Sequence, residues 1–251
     1  MKKIIILLTL LQIVNLNSEN RQTITLSMIV KNEAGRYLRT VLESVRKYID
    51  AAVIIDDCST DDTVAVCKEI LKDIPLKLIE NNECTFHNEI ILRKQQWNET
   101  IATNPEWILF LDADEVFENA FENDIQIPIN QGLYDVIFFR LYDFWSMTHY
   151  RDDGYWFAHN TYRPFLLRYI KDFNYIWPNL AQHCGRMPQN VNSLRIGYSH
   201  LRLKHYGWAK QEDRIAKYHR YMKLDPDAKY GWKQQYDSIL DENPHVLEWI
   251  E

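Results

Sequence analysis

Apolar, β-rich runs alternate with segments of helical spacing through the first half of the chain, and the runs end in polar or acidic clusters. TITLSMIV (residues 23–30) closes on Lys31-Asn32-Glu33, AAVIID (residues 51–56) runs into Asp57, and WILFL (residues 107–111) runs into Asp112-Ala113-Asp114. Between them Leu38, Val41, Leu42, Val45 and Ile49 recur at helical spacing, as do Val66, Cys67, Ile70, Leu71 and Ile74. LKLIE (residues 76–80) reads as a third strand, and a helix follows over about residues 88–103. This alternation predicts an α/β fold with a mostly parallel central sheet flanked by helices. Ligands bind such sheets beyond the carboxyl ends of the strands, where the polar clusters fall.

The 251 residues, 46% hydrophobic and 25% charged, suffice for one large α/β domain with a sizeable core. A net charge of −6 gives no basic footprint, so a nucleic-acid partner is not expected. The second half is rich in Trp and Tyr. Strand-like runs lie at residues 134–145, 162–170 and 195–208, and a helix at about 209–224 stops at Asp225-Pro226. The expected organisation is an N-terminal extension (1–20), one domain (21–226) with halves at about 21–120 and 121–226, and a C-terminal tail (227–251).

The extension carries Lys2, Lys3 and an apolar run too short to span a membrane comfortably. It reads as weak membrane contact on a cytoplasmic protein, with a secretory signal as the rival. Cys58, Cys67, Cys84 and Cys184 lack CxxC spacing and read as unpaired thiols in a reducing compartment, with a disulfide as the open alternative.

Asp112 and Asp114 are two apart, so an extended segment points both to one side. Two carboxylates there suit Mg²⁺ or Mn²⁺, hard cations that also take phosphate oxygens. A bare DxD is also what a charged turn after a strand looks like. Asp57 ends the second strand, where it can accept from a nucleobase N–H or cap the next helix. Ser59 and Asp62 have the spacing of a capping box.

TLSMIVKNEAGRYLRTVLESV, VIIDDCSTDDT and WILFLDADEVFE, in that order and spacing, resemble a family 2 glycosyltransferase of the GT-A fold. The resemblance implies a Rossmann-like single domain and a nucleotide-diphospho-sugar donor, with UDP the expected nucleotide. By it, Val30, Asn32 and Glu33 line the nucleoside and Asp57 contacts the base. Arg93 lies near the nucleotide, Asp112 faces the ribose or metal, and Asp114 holds Mn²⁺ or Mg²⁺. His205 resembles the late histidine that completes this site, with His200 the alternative. The implied reaction is metal-dependent and inverting, onto a glycan, lipid-linked or peptide acceptor.

The general base is the departure. Many members carry a carboxylate where this chain reads AQHCGRMP, with His183 followed by Cys184. His183, Asp143 and Asp153 are the candidates for the base. A non-catalytic nucleotide-sugar or glycan-binding protein is the alternative function. A haloacid-dehalogenase-like phosphatase is disfavoured, because there the DxD ends the first core strand and here three strand–helix units precede it.

Overall fold

A computed structural model describes residues 21–181, 184–229 and 231–251. The alternation is present as β1 (Ile24–Val30), α1 (Leu38–Val45), β2 (Ala51–Asp56), α2 (Thr63–Ile70), β3 (Leu76–Glu80), α3 (Glu89–Ile101) and β4 (Trp107–Phe110). β1 runs parallel to β2 and β4, and β2 parallel to β3. Every residue of β1 and β4 is buried, because helices cover both faces of a parallel sheet. α1 has only eight residues, too few to hold as an isolated helix. Its buried Leu38, Val41, Leu42 and Val45 fix it instead, each contributing about 1.5–3 kcal/mol.

Beyond β4 the sheet becomes mixed. β8 (Tyr162–Arg168) is antiparallel to both β4 and β6 (Val136–Asp143), β9 (Ile196–His205) is parallel to β6, and β5 (Glu115–Phe117) pairs antiparallel with β9 at the edge. The resulting order is β3-β2-β1-β4-β8-β6-β9-β5. β8 departs from the parallel expectation because no crossover helix carries the chain from β6 back to its starting end. The whole remains one α/β domain around one main core.

Residues beyond Pro226 fold back onto the second half. Two short helices, α4 (Phe121–Asp124) and α5 (Gln126–Asn130), precede β6; near the end of the chain α7 (Lys233–Asp237) lies beside α6 (Gln211–Leu224), and β10 (Val246–Glu248) pairs with β7 (His149–Arg151). Arg151 is buried and anchors this return, donating to the Ser238 carbonyl at 2.7 Å and to Asp241 at 2.6 Å. Its guanidinium lies over Trp145, in a cluster with Trp156, Trp208 and Ile239. Asp153 pairs with Arg151 and accepts from the Tyr155 and Trp156 amides, which ties its carboxylate to this turn.

Two readings of the sequence are corrected. Cys58 and Cys84 form a disulfide, while Cys67 and Cys184 are free and buried. The 26-residue separation hid the pair. β2 and β3 are parallel neighbours, so the segments leaving their carboxyl ends meet. The premise for a reducing compartment is thereby removed. The capping box is also replaced. Asp61 accepts from Thr63 N at the start of α2, and Ser59 Oγ accepts instead from Asn32 N and donates to Asp56. No helix among the described residues is long and apolar enough to cross a membrane, and the apolar extension lies outside them.

Arg151→Ala is expected to destabilise the protein by about 2–4 kcal/mol, since it leaves a buried carbonyl and two carboxylates without their cation. Chemical denaturation of the variant against the parent measures it.

Candidate active site

Sheet register builds the centre of the site. Antiparallel pairing sets His205 opposite Glu115, so Asp114 lies beside it, and the Tyr206 amide donates to the Asp114 carbonyl at 2.8 Å. Parallel pairing sets His205 opposite Asp143. His205 Nδ1 donates to Asp143 Oδ1 at 2.7 Å, which leaves Nε2 facing Asp114 Oδ2 at 3.5 Å. Burial depresses the imidazole's pKa, but Asp114 and Asp143 outweigh it and push His205 up to about 9. Burial likewise raises Asp114, yet His205, Lys217 and Arg36 hold its carboxyl well below the usual range.

Asp112 belongs to a neighbouring cluster. Arg93 reaches Asp112 Oδ1 at 3.3 Å and Arg186 approaches Oδ2 at 3.6 Å. Burial raises the Asp112 carboxyl, and these guanidiniums outweigh it and lower it. Arg186 also grips buried Glu115 with two hydrogen bonds, at 2.6 and 2.7 Å, while Glu115 accepts from Asp112 N at 2.8 Å. Glu115 and Arg186 therefore hold the DxD turn. Nothing in the local sequence marks this pair, because 71 residues separate its members.

The first strand end carries Val30, Asn32 and Glu33. Asn32 adopts a left-handed backbone (φ 54°), tolerated by asparagine, and its side chain accepts from Thr60 N at 2.8 Å. Glu33 bonds Arg36 at 2.9 Å. Burial, with Asp114 and Asp213 nearby, pushes Glu33 up to about 7 against the pull of Arg36. Asp57 is fully buried, and its amide donates to the Val30 carbonyl. Its carboxylate accepts from Thr85 N, Phe86 N and Lys31 Nζ at 2.8, 3.0 and 3.1 Å. The Cys58–Cys84 disulfide is adjacent, so Asp57 and the disulfide fix the segment around Thr85 together.

Of the base candidates, Asp143 faces the site and Asp153 is held in the Arg151 turn. His183 lies outside the described residues. His200 is exposed beside a separate groove lined by Ile127, Tyr134 and Tyr198. A hollow of about 310 Å³ opens next to Asp143 and His205, lined by Trp156, Trp208, Tyr221 and Tyr236.

Asp114 and His205 fit a divalent cation as a pair. Carboxylate oxygen and imidazole suit Mn²⁺, and a carboxylate behind the imidazole is the usual outer support. Gly207 leaves room for the convergence. A Cβ there meets His205 Nε2 at 2.7 Å, and Asp114 Oδ2 and Lys217 Nζ closer still. Among the described residues no three His, Cys, Asp or Glu side chains form a metal cluster, so a cation here needs ligand oxygens from elsewhere.

The model for glycosyl transferase family 2 matches residues 25–187. The chain belongs to that family. A curated relative, an uncharacterized protein of Mycobacterium tuberculosis, is 25% identical over 86% of this chain and 54% of its own length. The chain thus spans about half the length of the relatives it matches first. S. aureus TarS 1–349, solved in complex with UDP-GlcNAc, superposes with a TM-score of 0.52 at 16% identity, covering 87% of this chain and 70% of that one. GalNAc-T7, solved with UDP, GalNAc and Mn²⁺, gives 0.50 at 15% identity, covering 88% and 50%. These likenesses establish the GT-A-like fold.

Gly207→Ala is expected to cost about 1–3 kcal/mol through overpacking and to disturb the His205 imidazole. Thermal unfolding and the imidazole NMR resonances of the variant test both.

Proposed function

We propose that the chain transfers a sugar, with inversion, from a nucleotide-diphospho-sugar to an acceptor hydroxyl, and that the nucleotide is UDP. The observation that carries this reading is the convergence of Asp114 and His205, backed by Asp143, at the strand ends beside the DxD turn. The UDP and UDP-GlcNAc complexes of TarS support the choice of nucleotide. Val30, Asn32 and Glu33 line the nucleoside. Asp57, buried and with both carboxylate oxygens taken by Thr85, Phe86 and Lys31, does not meet the base as the resemblance implied; it orders the wall around Thr85. Asp112, held by Arg93 and Arg186, faces the ribose.

Asp114 and His205 would hold Mn²⁺ or Mg²⁺, in keeping with the Mn²⁺ of GalNAc-T7. Such a cation, when bound, stabilises negative charge on a departing diphosphate. The aromatic hollow receives the acceptor, a glycan, lipid-linked sugar or peptide. Asp143 is the proposed base, because Oδ1 is committed to His205 while Oδ2 takes no hydrogen bond among the described residues. It removes the acceptor hydroxyl's proton as the acceptor oxygen bonds to the anomeric carbon and the bond to the diphosphate breaks.

Calorimetric titration of UDP, with and without Mn²⁺, against the parent and Asp114→Ala tests the donor site. Binding strengthened by Mn²⁺ and weakened at least about tenfold in the variant is the expected result, equal to about 1.4 kcal/mol. No binding of UDP or GDP under any condition overturns the reading. Binding of a UDP-sugar that is never turned over, across acceptors of all three classes, would favour the non-catalytic alternative.

A further inference from the structure

The cations around the DxD turn are nearly all committed. Arg186 is bidentate on Glu115, Arg93 is shared between Glu89 and Asp112, and Arg36 bonds Glu33 and Asp213. Lys217 is the exception. Its side chain is only 13% exposed, and its closest carboxylate oxygen, Asp114 Oδ2, lies at 3.8 Å, beyond hydrogen-bond distance. Among the described residues its ammonium donates no hydrogen bond. It rests over the face of Trp208, 4.2 Å from the ring centroid. A largely buried ammonium with unspent N–H donors is costly, and this one converges with Asp114 Oδ2 and His205 Nε2 over Gly207.

Helix α6 is clamped so as to hold it there. Asp213, one turn earlier on the same face, accepts from Arg36 and from the Tyr37 hydroxyl at 3.0 Å. Arg214 donates to the Trp208 carbonyl at 2.6 Å and to the Trp145 carbonyl at 3.0 Å. The helix is thus tied both to the β1–α1 connection and to the aromatic cluster, and Lys217 has little freedom to leave.

We propose that Lys217 is a diphosphate-binding residue, a resident ammonium beside the Asp114–His205 pair, so that a nucleoside diphosphate binds this protein without added metal. The inference rests on the donor-site reading above. The ligand class is set by the chemistry: unspent N–H donors on a positive charge match phosphate oxygens, and the neighbouring carboxylates repel any anion that lacks such a partner.

The test is calorimetric titration of UDP and of uridine into the full chain and Lys217→Met, each in EDTA and in Mn²⁺. In EDTA the parent is expected to bind UDP, and Lys217→Met to bind it at least about tenfold more weakly, the loss of one charge-assisted contact. Uridine, which has no phosphate, is expected to bind both equally. The proposal is overturned if the variant keeps the parent's UDP affinity in EDTA, or if uridine affinity falls by the same factor, which would mark a structural role. It is also overturned if the parent binds UDP only with Mn²⁺, an outcome that leaves the donor site standing. Absence of binding even with Mn²⁺ removes the donor site and this inference with it.

Discussion

Buried negative charge has to be answered by positive charge, and the carboxyl ends of this sheet gather far more carboxylates than an α/β core needs. Glu115 shows how the demand is met. Its side chain is almost wholly buried, and Arg186 grips both of its oxygens while also approaching Asp112. Removing one member of such a pair leaves an uncompensated buried charge. The DxD turn, the edge strand β5 and the register that brings His205 to Asp114 all hang on this one contact, because β5 begins at Glu115 itself.

The first half of the fold was legible because parallel strands buried on both faces leave unbroken apolar runs. β2 and β3 begin and end where the pattern places them. The second half was less so. β5, β7 and β10 have three residues each, too short to show a period. The residues after 226 read as a tail because α7 is polar, yet Tyr236 and Ile239 are buried beneath the return.

The candidate site divides in the same way. Asp112, Asp114 and Asp57 stand at strand ends and could be found from position alone. His205 and Asp143 could be named but not paired, since only the β6–β9 register joins them. Lys217, Arg186 and Glu115 carried no local signal. Each acts through a partner distant in sequence, and a helix lysine or a loop arginine looks in sequence like a solvated charge.

The disulfide has a practical consequence. Cys58 stands in a left-handed conformation directly after Asp57, and its bond to Cys84 crosses from the end of β2 to the segment after β3. The wall beside Asp57 is therefore completed by oxidation rather than by folding alone. A preparation kept in strong thiol reductant is expected to retain the sheet and the acidic centre and to lose this covalent tie across the wall. The redox history of a sample thus becomes a variable in every test of the proposed nucleotide site.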